Sequence, residues 1–96
     1  VRGKQMQALV NTGNYSVVDA RKPADYAVSH LKGALSGNAD TVAEILPRLP
    51  KDKPVLTYCY SGNRSFAVAE KLAAAGYTVI NSLDGINEYP DFELIK

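Results

Sequence analysis

The chain contains one cysteine, Cys59, which opens the stretch Cys59-Tyr60-Ser61-Gly62-Asn63-Arg64. An apolar run, Val55-Leu56-Thr57-Tyr58, leads into this stretch, and a helix-like run from Ser65 to Ala75 follows it. The order is a thiol at the end of a buried strand, a short polar loop and then a helix N-terminus. A helix start offers unpaired N–H groups and partial positive charge. Such surroundings favour a thiolate and move a cysteine pKa from about 8.5 to somewhere in ~3.5–7.5. The chemistry expected is nucleophilic attack by the sulfur of Cys59. Gly62 permits a positive φ, so the loop can curl and turn its N–H groups inward as an anion-binding nest. Tyr60, Ser61, Gly62 and Asn63 are therefore candidate loop residues. Arg64 adds a full positive charge and a planar fork suited to oxyanions. A single cysteine closing an apolar strand is also what a small buried hydrophobe looks like. The polar loop and the arginine that follow it favour the reactive reading.

Such a site needs a strand before it and a helix after it, and the rest of the chain continues that alternation. Lys4 to Val10 reads as a helix ended by Asn11-Thr12-Gly13-Asn14. Tyr15 to Asp19 reads as a buried strand and Pro23 to Val28 as a short helix with proline in its first turn. His30 to Gly33 is expected to be a loop, Ala34-Leu35 a brief strand and Asn38 to Leu46 a helix. Pro47, Pro50 and Pro54 break up the connector that follows. Val55 to Cys59 is the clearest strand and Ser65 to Ala75 the clearest helix, with Gly76 as its C-terminal cap. Thr78 to Asn81 is the last expected strand, and Asp84 to Lys96 reads as loop or short helical turns. Strands alternating with helices imply an α/β fold: a doubly wound parallel sheet of four or five strands with helices on both faces. Ligands of such sheets bind beyond the carboxyl ends of the strands, where Cys59 falls.

Composition narrows the function classes. Ninety-six residues suit a single domain spanning 1–96, and 46% hydrophobic with 22% charged residues is ordinary for a globular chain. Eleven basic against ten acidic residues leave a net charge of +1 without a basic stripe, which speaks against nucleic acid as a partner. No apolar stretch is long enough for a membrane span. One cysteine cannot form an internal disulfide. The start, Val1-Arg2-Gly3-Lys4, shows no signal-peptide pattern. A cytoplasmic location is favoured; a processed exported protein and a domain of a longer chain are both compatible with a first residue other than methionine. Asp19 is expected to cap a turn at its strand end, and Arg21 to pair with Asp25 across one helical turn. His30, the only histidine, is read as structural.

Taken together, these segments resemble the rhodanese family of sulfurtransferases. The family's loop runs from cysteine through four residues to arginine, as from Cys59 to Arg64. The upstream pattern Asp-x-Arg, then an acid and an aromatic, then Gly-His-hydrophobic-x-Gly-Ala is matched by Asp19-Ala20-Arg21, Asp25-Tyr26 and Ser29-His30-Leu31-Lys32-Gly33-Ala34. Ala75-Gly76-Tyr77 and Leu83 to Tyr89 also look like the family, the latter like a Gly-Gly-hydrophobic-x-x-Trp signature. Ser29, Asp25, Asp84 and Tyr89 depart from the usual residues, and none of the four is expected to touch the Cys59–Arg64 loop.

The resemblance implies transfer of a sulfane sulfur from thiosulfate or a polysulfide or persulfide donor to an external thiol, a protein or cyanide, through a persulfide on Cys59. Arg64 is then the second catalytic residue, Arg21 a possible substrate-binding residue, and no metal or organic cofactor is required. Two other readings share the architecture. One is a phosphatase or arsenate reductase, whose loop in this fold is one residue longer. The other is a non-catalytic sulfur-carrier or interaction module.

Overall fold

The computed structural model describes residues 2–60, 63–89 and 92–95. Its elements in chain order are α1 (Gly3–Thr12), β1 (Ser16–Asp19), α2 (Pro23–Val28), β2 (His30–Leu31), β3 (Ala34–Ser36), α3 (Val42–Ile45), a 3-10 turn (Leu46–Arg48), β4 (Val55–Tyr58), α4 (Asn63–Ala74), β5 (Val79–Asn81) and β6 (Leu94–Ile95). Four of the strands form one parallel sheet in the order β3-β1-β4-β5. Side chains alternate between its faces, as the strand period demands. Val18 and Val55 join Val68 and Leu72 of α4 and Val42 and Ile45 of α3. Val17, Leu56 and Tyr58 join Met6 and Val10 of α1 on the other face. Both faces are thus covered, the doubly wound arrangement expected of a parallel sheet.

The helix ends follow from local chemistry. Gly13 adopts φ 74 just past α1 and returns its N–H to Val10 O. Past α4, Gly76 takes φ 98. There Gly76 N–H bonds Ala73 O and Tyr77 N–H bonds Leu72 O, the paired bonds of a Schellman cap. The helix expected from Asn38 to Leu46 is shorter. The Asn38 side chain accepts the N–H groups of Asp40 and Thr41 and holds a turn, so α3 begins only at Val42. Pro47 has no N–H for the next helical bond, and the chain tightens into the 3-10 turn. A second difference concerns His30-Leu31 and the tail, both expected to be irregular. They pair antiparallel as β2 and β6, His30 with Ile95 and Leu31 with Leu94. Two-residue strands carry no periodicity to read; what makes them strands is a partner far along the chain.

A buried ionic network joins the carboxyl ends of β1 and β4. Asp19 is wholly buried and Arg21 nearly so. One Asp19 oxygen accepts the backbone N–H of Arg21 at 2.8 Å, the turn cap expected of it. The guanidinium of Arg21 grips the same carboxylate through Nε at 3.0 Å and Nη2 at 2.8 Å. Tyr58 Oη donates to it at 2.7 Å and accepts Leu31 N–H at 3.0 Å. Arg21 Nη2 also donates to Ser29 O at 2.5 Å. Arg21 therefore pairs with Asp19 and not with Asp25, which corrects the helical pairing expected from spacing. Burial works against the charged guanidinium, but the hydrogen bonds and charge of Asp19 outweigh it and hold the Arg21 pKa above its ordinary value. Burial, then the Asp19 charge, push the Tyr58 phenol far upward, so it remains a donor.

The N-terminus of α1 is capped from a distance. Arg2, at the N-cap, supplies no side-chain bond. The Asp84 carboxylate accepts Gly3 N–H at 2.9 Å and pairs with Arg2 Nη1 at 2.8 Å. That use explains an acid where the family signature has a glycine. The same bonds, with Gly3 N–H first, hold the Asp84 pKa below its ordinary value.

Two outcomes are expected. Asp19→Asn leaves a buried cation without its counter-charge and lowers unfolding stability in urea by about 3–5 kcal/mol. Because the Asp84 pKa is depressed on folding, its contribution is present above the unfolded value near ~3.9 and is lost as pH falls through the lower folded value. Asp84→Asn removes part of the acid-side loss seen in thermal melts as a function of pH.

Candidate active site

From β1 the chain turns toward β3, and from β4 it turns toward β5, so the connections diverge between two neighbouring strands. A crevice opens at such a switch point, outside the carboxyl ends of the strands. Cys59 is the first residue past β4, and Ala20, the first past β1, donates its N–H to Tyr58 O at 2.8 Å. Strand alternation sends Tyr58 to the α1 face and Cys59 to the face covered by α4. The sulfur therefore sits on the side where α4 begins. It also sits deeper than a loop position suggests: Cys59 is 1% exposed and belongs to the buried cluster that includes Ala20, Val68 and Leu72.

Arg64 lies in the first turn of α4 and is exposed, with its guanidinium 5.7 Å from the centre of the Tyr60 ring. It lines a hollow of ≈ 210 Å³ with Ala20, Asn38, Ala39, Asp40 and Ala67. These residues follow β1, follow β3 or begin α4, so the hollow is part of the crevice. Tyr60 Oη donates to the Asp25 carboxylate and accepts Lys22 N–H at 3.4 Å. The bond to Asp25, chiefly, raises the Tyr60 pKa. The loop is thereby tied to α2. Asp25 is one of the four departures from the family pattern, and in space it does touch the loop.

Arg21 is buried behind the crevice with its donors directed to Asp19 and Ser29, and these contacts give no support to a role on substrate. Ser29 stands where the family has glycine. Its extended backbone, φ −165, needs no glycine, and what it supplies is a carbonyl for Arg21. His30 stacks on Tyr26 at 4.2 Å, and its Nδ1 lies 3.0 Å from Tyr26 O, a structural placement as expected. Asn63 opens α4 and is exposed. Ser61 and Gly62 lie outside the described residues, and the anion nest expected of them remains a proposal. Among the described residues no group of three or more His, Cys, Asp or Glu side chains converges to hold a metal ion.

One contributor is not evident from the sequence pattern. The tail folds over the start of the loop, and Ile86 N–H bonds Cys59 O at 2.9 Å while Asn87 N–H bonds Tyr60 O at 3.0 Å. Gly85 makes that approach possible. A Cβ there would fall 2.1 Å from Tyr60 C and O and 2.3 Å from Cys59 O. The signal available was Gly85 itself within the family-like tail; the segment it meets was not readable. Tyr89, where the family has tryptophan, packs edge-on against Phe92 in the α1-side core, and its ring leaves no room for a Cβ on Gly3.

The fold and this crevice agree with what the chain is related to. Residues 3–90 match the rhodanese-like domain family, and the chain belongs to that family. Thiosulfate sulfurtransferase GlpE of Tolumonas auensis is 34% identical over 82 residues, covering 85% of this chain and 77% of that protein. Thiosulfate sulfurtransferase GlpE of Pseudomonas fluorescens is also 34% identical over 82 residues, covering 85% and 74%. The crystal structure of a rhodanese-related protein from Thermoplasma volcanium superposes with a TM-score of 0.83 over 99% of this chain and 95% of that one. At 22% identity that likeness speaks for the fold.

Two glycine substitutions separate the strap from the turns. Gly85→Ala forces backbone apart at the loop, lowers stability by about 1–3 kcal/mol or more and changes the rate at which iodoacetamide alkylates Cys59. Gly33→Ala places a side chain in open space at φ 78. It costs about 1–2 kcal/mol of backbone strain and leaves the alkylation rate unchanged.

Proposed function

We propose that the protein is a rhodanese-type sulfurtransferase that carries a sulfane sulfur on Cys59. The observation that supports this most directly is the position of the chain's only cysteine. It stands at the end of β4, at the switch point, with Arg64 in the first turn of the following helix, in a chain whose relatives are named thiosulfate sulfurtransferases. In the first half-reaction the Cys59 thiolate attacks the outer sulfur of thiosulfate. A bond forms between the two sulfurs, the bond to the sulfonate breaks, and the electron pair leaves with sulfite. Cys59 is left as a persulfide anion. In the second, an external thiolate or cyanide attacks the terminal sulfur, carries it away as a persulfide or thiocyanate, and regenerates the Cys59 thiolate. Two half-reactions on one nucleophile give ping-pong kinetics. A polysulfide or persulfide donor enters by the same first step with a thiolate as leaving group.

Arg64 is exposed on the hollow and supplies the positive charge an anionic donor needs. Loop N–H groups and the α4 terminus would stabilise the thiolate and the persulfide as fixed donors. The acceptor comes from outside, because the chain holds no second cysteine to resolve the persulfide. The 1% exposure of Cys59 favours one competing reading, a rhodanese-like module that binds without transferring.

Mass spectrometry of the protein after incubation with thiosulfate, polysulfide or a low-molecular-weight persulfide distinguishes the two. Gain of one sulfur at Cys59 is expected with at least one donor, and no gain with any of them decides for the binding module. Cys59→Ala abolishes transfer in a thiosulfate:cyanide assay. Arg64→Ala keeps the thermal melt of the parent and loses about 10–100-fold in kcat/KM, roughly 1.4–2.7 kcal/mol of transition-state stabilisation.

A further inference from the structure

At the opposite end of the sheet from Cys59 the chain forms a larger, half-open hollow, ≈ 460 Å³, between the end of α1, the starts of β1 and β3, and the connector into β4. That volume lies within the range of small-molecule sites. Its charged lining residues are Lys32, Arg48 and Lys53, and no carboxylate lines it. None of the three takes part in an ion pair among the described residues. Lys53 is half-buried, and Lys32 and Arg48 are exposed. Asp52, beside Lys53 in the chain, is exposed and does not line the hollow.

The walls add two further features. Val10, Leu35, Leu49 and Pro50 offer apolar surface, and Tyr15 offers a ring. Gly13 and Gly33 are built into the rim at positive φ, and a Cβ on either would meet nothing within 4 Å, so the main chain there stands open. One effect opposes anion binding. The C-terminus of α1 ends here, contributing about half a negative charge, and its last turn holds no basic residue. A single nearby cation offsets that end. Three whole positive charges exceed it and leave the hollow with a net attraction for anions.

We propose that this hollow is a second binding site, for a small organic anion bearing two or more negative charges on a phosphate chain, with its apolar or ring portion against Leu49, Pro50 and Tyr15. The site is separate from the sulfur chemistry and stands whether or not Cys59 transfers sulfur.

The test is an NMR titration of the ¹⁵N-labelled protein at low salt with sodium tripolyphosphate and with adenosine triphosphate without magnesium. Saturable amide shifts are expected at Gly13, Gly33 and the 48–53 segment, with the nucleotide binding more tightly than the inorganic anion. Lys32→Gln/Arg48→Gln/Lys53→Gln weakens binding roughly tenfold or more. Lys4→Gln/Lys22→Gln/Lys71→Gln, which removes the same charge elsewhere, weakens it by less than about threefold through the general field. Should the first triple variant fail to give a folded spectrum, Lys53→Gln alone carries the test, with an expected loss of about threefold. Shifts that do not saturate, shifts confined to the Arg64 end, or an equal loss in the control variant would overturn the proposal.

Discussion

The position of the candidate nucleophile depends on one buried carboxylate. Asp19 sits at the carboxyl end of β1, beside Tyr58 at the carboxyl end of β4, and its two oxygens collect the Arg21 fork, the Arg21 N–H and the Tyr58 phenol. A buried charge is expensive unless it is paired and its lone pairs are filled, and here both conditions are met. The result is a fixed junction directly beneath the point where the connections leaving β1 and β4 diverge. Cys59 is the residue next to Tyr58, so where the sulfur lies is set by where this network holds β4. Arg21 extends the junction to Ser29, and Tyr58 extends it to Leu31, tying in the segment that becomes β2.

Above that junction the loop is held from two more sides. Asp25 of α2 takes the Tyr60 hydroxyl, and the tail lays Ile86 and Asn87 across the carbonyls of Cys59 and Tyr60. These contacts come from segments far apart in the chain, and each one restrains backbone or a single side chain at the start of the loop. That suits the proposed chemistry, in which loop N–H groups would steady a sulfur anion, since such donors act only if they are held before the reaction. The departures from the family pattern fit the same logic. Asp25 anchors the loop, Ser29 feeds a carbonyl to Arg21, Asp84 caps α1, and Tyr89 fills the core against Gly3.

The two ends of the sheet differ in electrostatic character. At the carboxyl ends the crevice mixes Arg64 with Asp40, and the helix that faces it begins there. At the amino ends three cations gather without a carboxylate among them. A net charge of +1 conceals this unevenness, because the sum over a chain carries no information about which charges share a surface.

The sequence by itself was enough for the α/β alternation, the doubly wound sheet and the family. These rest on local signals: the apolar run 55–58, the helical face of 65–75, the cap at Gly76 and a cysteine-to-arginine loop of family length. It was also enough to mark Cys59 and Arg64 as candidates, since their types and order express a chemistry. Only the tertiary structure decided who pairs with whom. Spacing put Arg21 with Asp25, because i, i+4 neighbours meet on a helix, whereas a strand-end turn folds Arg21 back on Asp19 and leaves Asp25 to Tyr60. The strands at His30-Leu31 and Leu94-Ile95, the cap that Asp84 gives to α1 and the approach of Gly85 to Cys59 all join residues more than twenty positions apart. No periodicity spans such distances; they exist because the core brings the segments together, and burial then makes an unmet N–H or charge too costly to leave.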